Sequence, residues 1–350
     1  MHAFFARAIL SIVAFAAADA SAQAASSEVP ETDETEAPLD EVVVAGEFPG
    51  PGLWKVTRPD DDAGHALWII GDPGYLPKGI TWKSKEIESI VAGSQEILVD
   101  AGFSLTTDEK VGIFRGMTYL PAALKARRNP GDATLQEVLP PDLHARWQVE
   151  KKRLLGRDRG VEKWRPMFAA EKLRQAAIDE LGVPRKGVIW RAIEDIVKRQ
   201  TIEVNRPLLK FTFRRDELRD RIRRFSKETA ADTECLATTL DLTETLADHD
   251  LENARARAWA VGDIEVLTSL PPRADPNLAC ATAFMNMQAA RDLVPADISR
   301  QVFDLWVAEA ERSLAENRST FAVLPFSKIT TADGYLAALR GKGYVVEPPR

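Results

Sequence analysis

The run Ala66-Leu67-Trp68-Ile69-Ile70 limits the fold most, because five consecutive residues without a charged or hydroxyl side chain are poorly suited to a strand with one wet face. Such a run reads as a strand covered on both faces, the setting of parallel strands in α/β proteins. The following residues supply a covering helix. Ser84 is an N-cap candidate, Glu86 falls in the first turn, and Ile87, Ile90 and Val91 share a face before Gly93 ends the helix. Ile97–Val99 is a second short apolar strand, so strand, helix and strand succeed one another as a βαβ unit. Leu53–Val56 reads as a further strand ahead of them.

The far end of the chain repeats this alternation. Phe321–Leu324 reads as a strand, Tyr335–Leu339 as a helix, and Val345 with Val346 as a last strand stopped by prolines. Between the two ends, Leu135–Leu155, Lys163–Leu181 and Asp216–Lys227 are charged, poor in β-branched residues and expected to be helical. The expected fold class is therefore mixed α/β (α+β). A βαβ-type core is built from N- and C-terminal segments, and a large helical middle, about 105–315, is inserted into one domain, 52–350. In Asp216–Lys227, Leu218, Ile222 and Phe225 form an apolar face, and arginines alternate with Asp216, Glu217 and Asp220. That pattern reads as a solvated helix laced with ion pairs, as do Lys151–Arg153 with Arg157 and Arg159.

The first residues read as an address. Arg7 supplies a positive start, Ala8–Ala18 an apolar stretch, and Ala22-Gln23-Ala24 a small-x-small cleavage site. Eleven residues rise about 16 Å as a helix, short of the roughly 30 Å hydrocarbon core. A signal peptide over 1–24 is expected, with a periplasmic or secreted mature chain that has no membrane span. In an oxidising compartment Cys235 and Cys280 are expected to pair, the alternative being two buried thiols. Residues 25–51 read as an acidic, disordered tether. Glu28–Glu41 holds seven acids and no base, which accounts for the whole formal charge of −7 and leaves the remainder balanced. No basic excess points to nucleic acid. Glu41–Gly46 (EVVVAG) is suited to an edge strand or to contact with an envelope protein partner.

Neither a Gly-rich phosphate loop, a GxSxG elbow nor an HExxH pair occurs, and His65, His144 and His249 are scattered. Trp54, Trp68, Trp82 and Trp164 lie among apolar neighbours and read as core, with Trp82 the candidate for a rim position.

Several ordered pieces resemble the TraB/GumN family, related to secreted metalloproteases that cut Wnt ligands. They are Leu53-Trp54-Lys55-Val56, then Trp68-Ile69-Ile70-Gly71-Asp72-Pro73-Gly74-Tyr75-Leu76-Pro77-Lys78-Gly79, then Trp259-Ala260-Val261-Gly262-Asp263. The closing pieces are Asp333-Gly334-Tyr335-Leu336-Ala337-Ala338-Leu339-Arg340 and Gly343-Tyr344-Val345-Val346-Glu347. The resemblance implies a metal site made of two GxxH motifs and a glutamate. Here Gly74 stands at the first histidine, Pro325 and Lys328 stand at the second glycine and histidine, and Asp100 stands at the glutamate. A catalytic divalent metal needs about three protein ligands and an open position. Neither glycine nor an ammonium supplies one, so no metal or other cofactor is expected. The sequence therefore reads as a degenerate site of Asp72, Gly74, Asp100 and Lys328. Lys328 is expected within about 4 Å of Asp72 or Asp100; the alternative is an ordinary surface lysine.

The function expected is that of an exported TraB/GumN-like pseudoenzyme, a periplasmic binding or accessory protein for a peptide or glycan. The alternatives are a hydrolase with metal-independent acid–base chemistry at Asp72, Asp100 and Lys328, or a structural envelope protein.

Overall fold

A computed structural model describes residues 50–61, 64–109, 113–182 and 187–349. The expected signal peptide, nearly all of the expected tether and the Glu41–Gly46 segment lie outside the described residues. Eight strands are present among the described residues: β1 (Leu53–Thr57), β2 (Ala66–Asp72), β3 (Glu96–Val99), β4 (Gly102–Thr107), β5 (Glu203–Asn205), β6 (Leu208–Phe213), β7 (Ser319–Pro325) and β8 (Val345–Glu347). Six of them form one sheet in the order β5-β3-β7-β2-β1-β8, and β4 pairs with β6 in a separate parallel ribbon. Within the large sheet β5, β3, β7 and β2 run parallel, while β1 is antiparallel to both neighbours. The βαβ unit expected at 66–99 is present but split. The C-terminal strand β7 enters between β2 and β3 and pairs with both.

Two-sided burial explains the unbroken apolar runs. Leu67, Ile69, Leu98, Ala322 and Leu324 pack on one face against Trp306, Val307, Ala310 and Leu314 of the helix Ile298–Glu316 and against Leu336 and Leu339. Ile70, Ile97, Phe321 and Val323 alternate with them onto the other face. There they meet Ile87 and Val91 of the helix Lys85–Ala92, Ile189 and Ile193 of the helix Val188–Gln200, and Trp259. A third core, centred on Trp147, Leu173, Leu236 and Leu240, lies among the helices of the middle region.

Several boundaries differ from expectation, each for a local reason. Leu135–Leu155 is two helices, Leu135–Val138 and Pro141–Leu154, because Pro140-Pro141 cannot continue the first and Pro141 opens the second. The middle region is not wholly helical, since β5 and β6 lie within it. The helix expected from Asp216 begins at Leu218 after a single 3-10 turn, and Leu218 and Phe225 are its buried positions. Two of its arginines pair locally as expected, Arg221 with Glu217 at 2.6 Å and Arg223 with Asp220 at 3.4 Å, while Arg224 reaches Asp292 at 3.7 Å. Gly93 ends its helix without a left-handed turn, at φ −89°. Cys235 and Cys280 form a disulfide that joins the helices Asp232–Ala247 and Pro276–Met285.

Candidate functional site

The parallel pairing brings three strand ends to one edge of the sheet. Asp72, the last residue of β2, is in register with Pro325 of β7, and Val99 of β3 is in register with Val323. Beyond these ends lie the loop 72–75, Asp100, and the short helix Phe326–Thr330 that carries Lys328. In open α/β sheets this carboxyl edge is where ligands bind. A strand end leaves side chains there without sheet neighbours.

Asp100 and Lys328 meet. Lys328 Nζ donates to Asp100 Oδ2 at 2.7 Å, and the Tyr335 hydroxyl donates to Asp100 Oδ1 at 2.9 Å. The carboxylate is buried, with 8% of its side chain exposed, whereas the Lys328 side chain is 37% exposed. Tyr335 is clamped by aromatics. Its ring lies 4.9 Å from that of Phe303, nearly parallel, and 4.2 Å from that of Trp306. Burial, and then the adjacent Asp100 charge, push the Tyr335 phenol well above its ordinary value, so it stays protonated and acts as a donor.

Asp72 and Gly74 form a separate turn beside this triad. Asp72 Oδ1 accepts the Gly74 N–H at 2.9 Å, and Gly74 holds φ +77°. Asp72 keeps a little accessible surface beneath a dense shell of atoms. Burial pushes its carboxyl above the usual range, opposed first by the Gly74 N–H and also by the charge of Arg273. A Cβ at Gly74 would meet no atom within 4 Å, so the position expected from the resemblance to hold a histidine is open space. Asp72 thus faces its own loop, and only Asp100 and Lys328 of the four expected residues contact each other through side chains.

The 71–75 loop is gripped from the helical side. Trp259 Nε1 donates to the Gly71 carbonyl at 2.8 Å, while Arg273 donates to the carbonyls of Pro73 at 2.6 Å and Tyr75 at 2.8 Å. Buried Glu252 pairs with the same guanidinium. Trp82, half-buried, leans on Trp259 with ring centroids 5.3 Å apart, so it packs on the loop's anchor. The glycines of the quoted motifs have steric reasons. A Cβ on Gly71 would lie 2.7 Å from the Phe326 ring, and one on Gly334 would lie 2.5 Å from the Lys328 carbonyl. Gly262 combines φ +73° with backbone crowding, its Cβ falling 2.9 Å from the Gly50 carbonyl. Tyr335, Arg273 and Glu252 were not singled out as site residues by the sequence. Tyr335 had a signal in the Asp333-Gly334-Tyr335 piece, whereas Arg273 and Glu252 had none, because they reach the loop only through the fold.

A divalent metal does not fit these residues. Both oxygens of Asp100 are already hydrogen-bonded, an ammonium occupies the place of a cation, and Gly74 offers no side-chain donor. His65 pairs with Asp61 at 2.8 Å and His144 contacts Gln148, so neither serves this edge.

No curated protein and no solved structure matches the chain. The TraB/PrgY/gumN family model matches residues 52–348, a span that begins at β1 and ends just beyond β8. Covering the whole sheet and every strand end described above, that match shows that the chain belongs to the TraB/PrgY/gumN family.

Proposed function

We propose that this chain is an exported family member whose cleft binds a peptide or glycan and performs no metal-dependent hydrolysis, as a periplasmic binding or accessory protein. One observation carries this reading: Lys328, Asp100 and Tyr335 satisfy one another at the edge where the family's metal chemistry is expected. Lys328 gives one N–H to Asp100 and, with more than a third of its side chain exposed, keeps further donors for a carbonyl or hydroxyl oxygen. The open space beside Gly74 receives the ligand group that a larger side chain would displace. Export to an oxidising compartment is supported by the disulfide, and no described helix is long and apolar enough to cross a membrane.

A second reading rests on Asp72. A partly buried carboxyl at a strand end, pushed above its ordinary range, is a feature of acid–base residues, so metal-independent hydrolysis at Asp72, Asp100 and Lys328 is the alternative. Probing a random peptide library and a glycan array with the purified protein separates the readings. The binding reading predicts a retained, uncleaved hit that is weakened in Lys328→Ala. Cleavage that survives a chelator and disappears in Asp72→Asn establishes the alternative. Chelator-sensitive cleavage refutes both. Absence of any hit removes the binding role and leaves a structural one in the envelope.

A further inference from the structure

We propose that the acidic segment Glu28–Glu41 docks on its own chain, in a basic depression at the end of the helix Pro141–Leu154. The depression has a volume of about 410 Å³ and is lined by Gln148, Val149, Lys151, Lys152 and Gly156. Val149 lines it and is 66% exposed, more than any other large apolar side chain among the described residues. The charge along the adjoining segment 150–162 is unbalanced once pairs are assigned. Glu162 is taken by Lys151, Glu150 and Glu180 by Arg153, and Asp158 by Lys172. Lys152, Arg157 and Arg159 are exposed and have no carboxylate partner among the described residues. The ion-paired surface expected from the sequence is therefore present for Lys151 and Arg153, but three cations remain over.

The complementary charge lies outside the described residues. Seven acids and no base fall within Glu28–Glu41, interleaved with Val29, Pro30, Pro38 and Leu39, whereas the rest of the chain is balanced. An acidic segment with a few apolar side chains matches an exposed valine beside the unpaired Lys152, with Arg157 and Arg159 following directly in the chain. Reach is sufficient. The described chain starts at Gly50, and the 22 residues back to Glu28 span up to about 75 Å when extended. A body of this size has a radius of gyration of about 19 Å, so every face is accessible. The tether also keeps the acids at a high effective concentration, so weak pairs suffice for docking.

Zero-length carbodiimide coupling, which joins carboxylates to amines in contact, tests this on the purified protein. Peptide mapping is expected to find residues 28–41 coupled to Lys152 above other lysines. The yield is expected to fall about fivefold or more in Arg157→Glu/Arg159→Glu or in roughly 0.5 M salt, where exposed charges are screened. Deleting residues 28–41 is expected to raise the rate of Lys152 acetylation by a similar factor. Both arginines are exposed, so an unchanged melting temperature shows the variant still folded. Coupling spread over the lysines in proportion to exposure, or insensitive to salt, overturns the proposal. So does coupling mainly between isotopically heavy and light copies in dilute mixture, which puts the segment on a second molecule.

Discussion

Asp100 is nearly inaccessible and has each oxygen bound to a different residue, so the energy of the site depends on both partners together. Losing either leaves a buried charge short of donors, an imbalance that costs about 1–3 kcal/mol. A double-mutant cycle of Lys328→Met and Asp100→Asn is expected to show coupling of roughly 1 kcal/mol by denaturant unfolding. Strict additivity would mean that the pair contributes nothing. Tyr335 adds a pH dependence. Its phenol is raised by burial, so the folded state holds the proton more tightly than the unfolded state, where the value is about 10. The stabilisation is complete below that unfolded value and is lost as pH rises beyond it. Stability is expected to fall above about pH 10 in the parent and to fall less in Tyr335→Phe, measured by unfolding at several alkaline pH values. Equal alkaline slopes would contradict the assignment.

At the scale of elements, glycines separate two kinds of constraint. Gly74 and Gly262 have nearly the same positive φ, but a Cβ meets open space at the first and backbone at the second. Gly74→Ala is therefore expected to cost about 1 kcal/mol, the conformational part alone. Gly262→Ala is expected to cost about 2 kcal/mol or more, because the neighbouring Gly50 and Gly52 backbone must also move. Thermal unfolding of the two variants measures the difference. The same elements show what was legible in the sequence. Ala66–Ile70 declared itself as a two-sided strand because its unbroken apolar run had to be covered, and Phe321–Leu324 was legible as a strand. Strand order was not legible, since nothing local in β7 says that it enters between β2 and β3. Leu135–Leu155 looked like one helix because its charges and apolar positions continue through Pro140-Pro141, whose ring geometry overrides them. β5 and β6 were missed because β5 is only three residues long, β6 has no fully buried residue, and both are defined by pairing with distant β3 and β4.

Across the whole molecule, the helical layer is tied together by groups remote from the strand ends. Arg165 and Asp232 are both fully buried, with the guanidinium fork donating to the two carboxylate oxygens at 2.7 and 2.8 Å. Asp232→Ala leaves an uncompensated buried cation and is expected to cost about 3–5 kcal/mol in equilibrium unfolding. The Cys235–Cys280 disulfide closes a 45-residue loop, so Cys235→Ala/Cys280→Ala is expected to lower stability by about 3–4 kcal/mol on the loop-entropy scale. The candidate site itself was legible only in part. Asp72, Gly74, Asp100 and Lys328 could be picked out by their place in ordered motifs. Which aspartate pairs with Lys328 required the register of β3 against β7, and the grip of Arg273 on the 73–75 carbonyls required the helical layer to be folded over the loop.

The central claim, that an internal ion pair stands where the family's metal chemistry is expected, is tested most directly by the metal content of the purified protein, measured by plasma mass spectrometry. The account predicts folded protein with far less than one zinc, manganese or iron per chain. Close to one equivalent, lost in Asp100→Ala with the fold retained, would contradict it and return the site to metal-dependent chemistry.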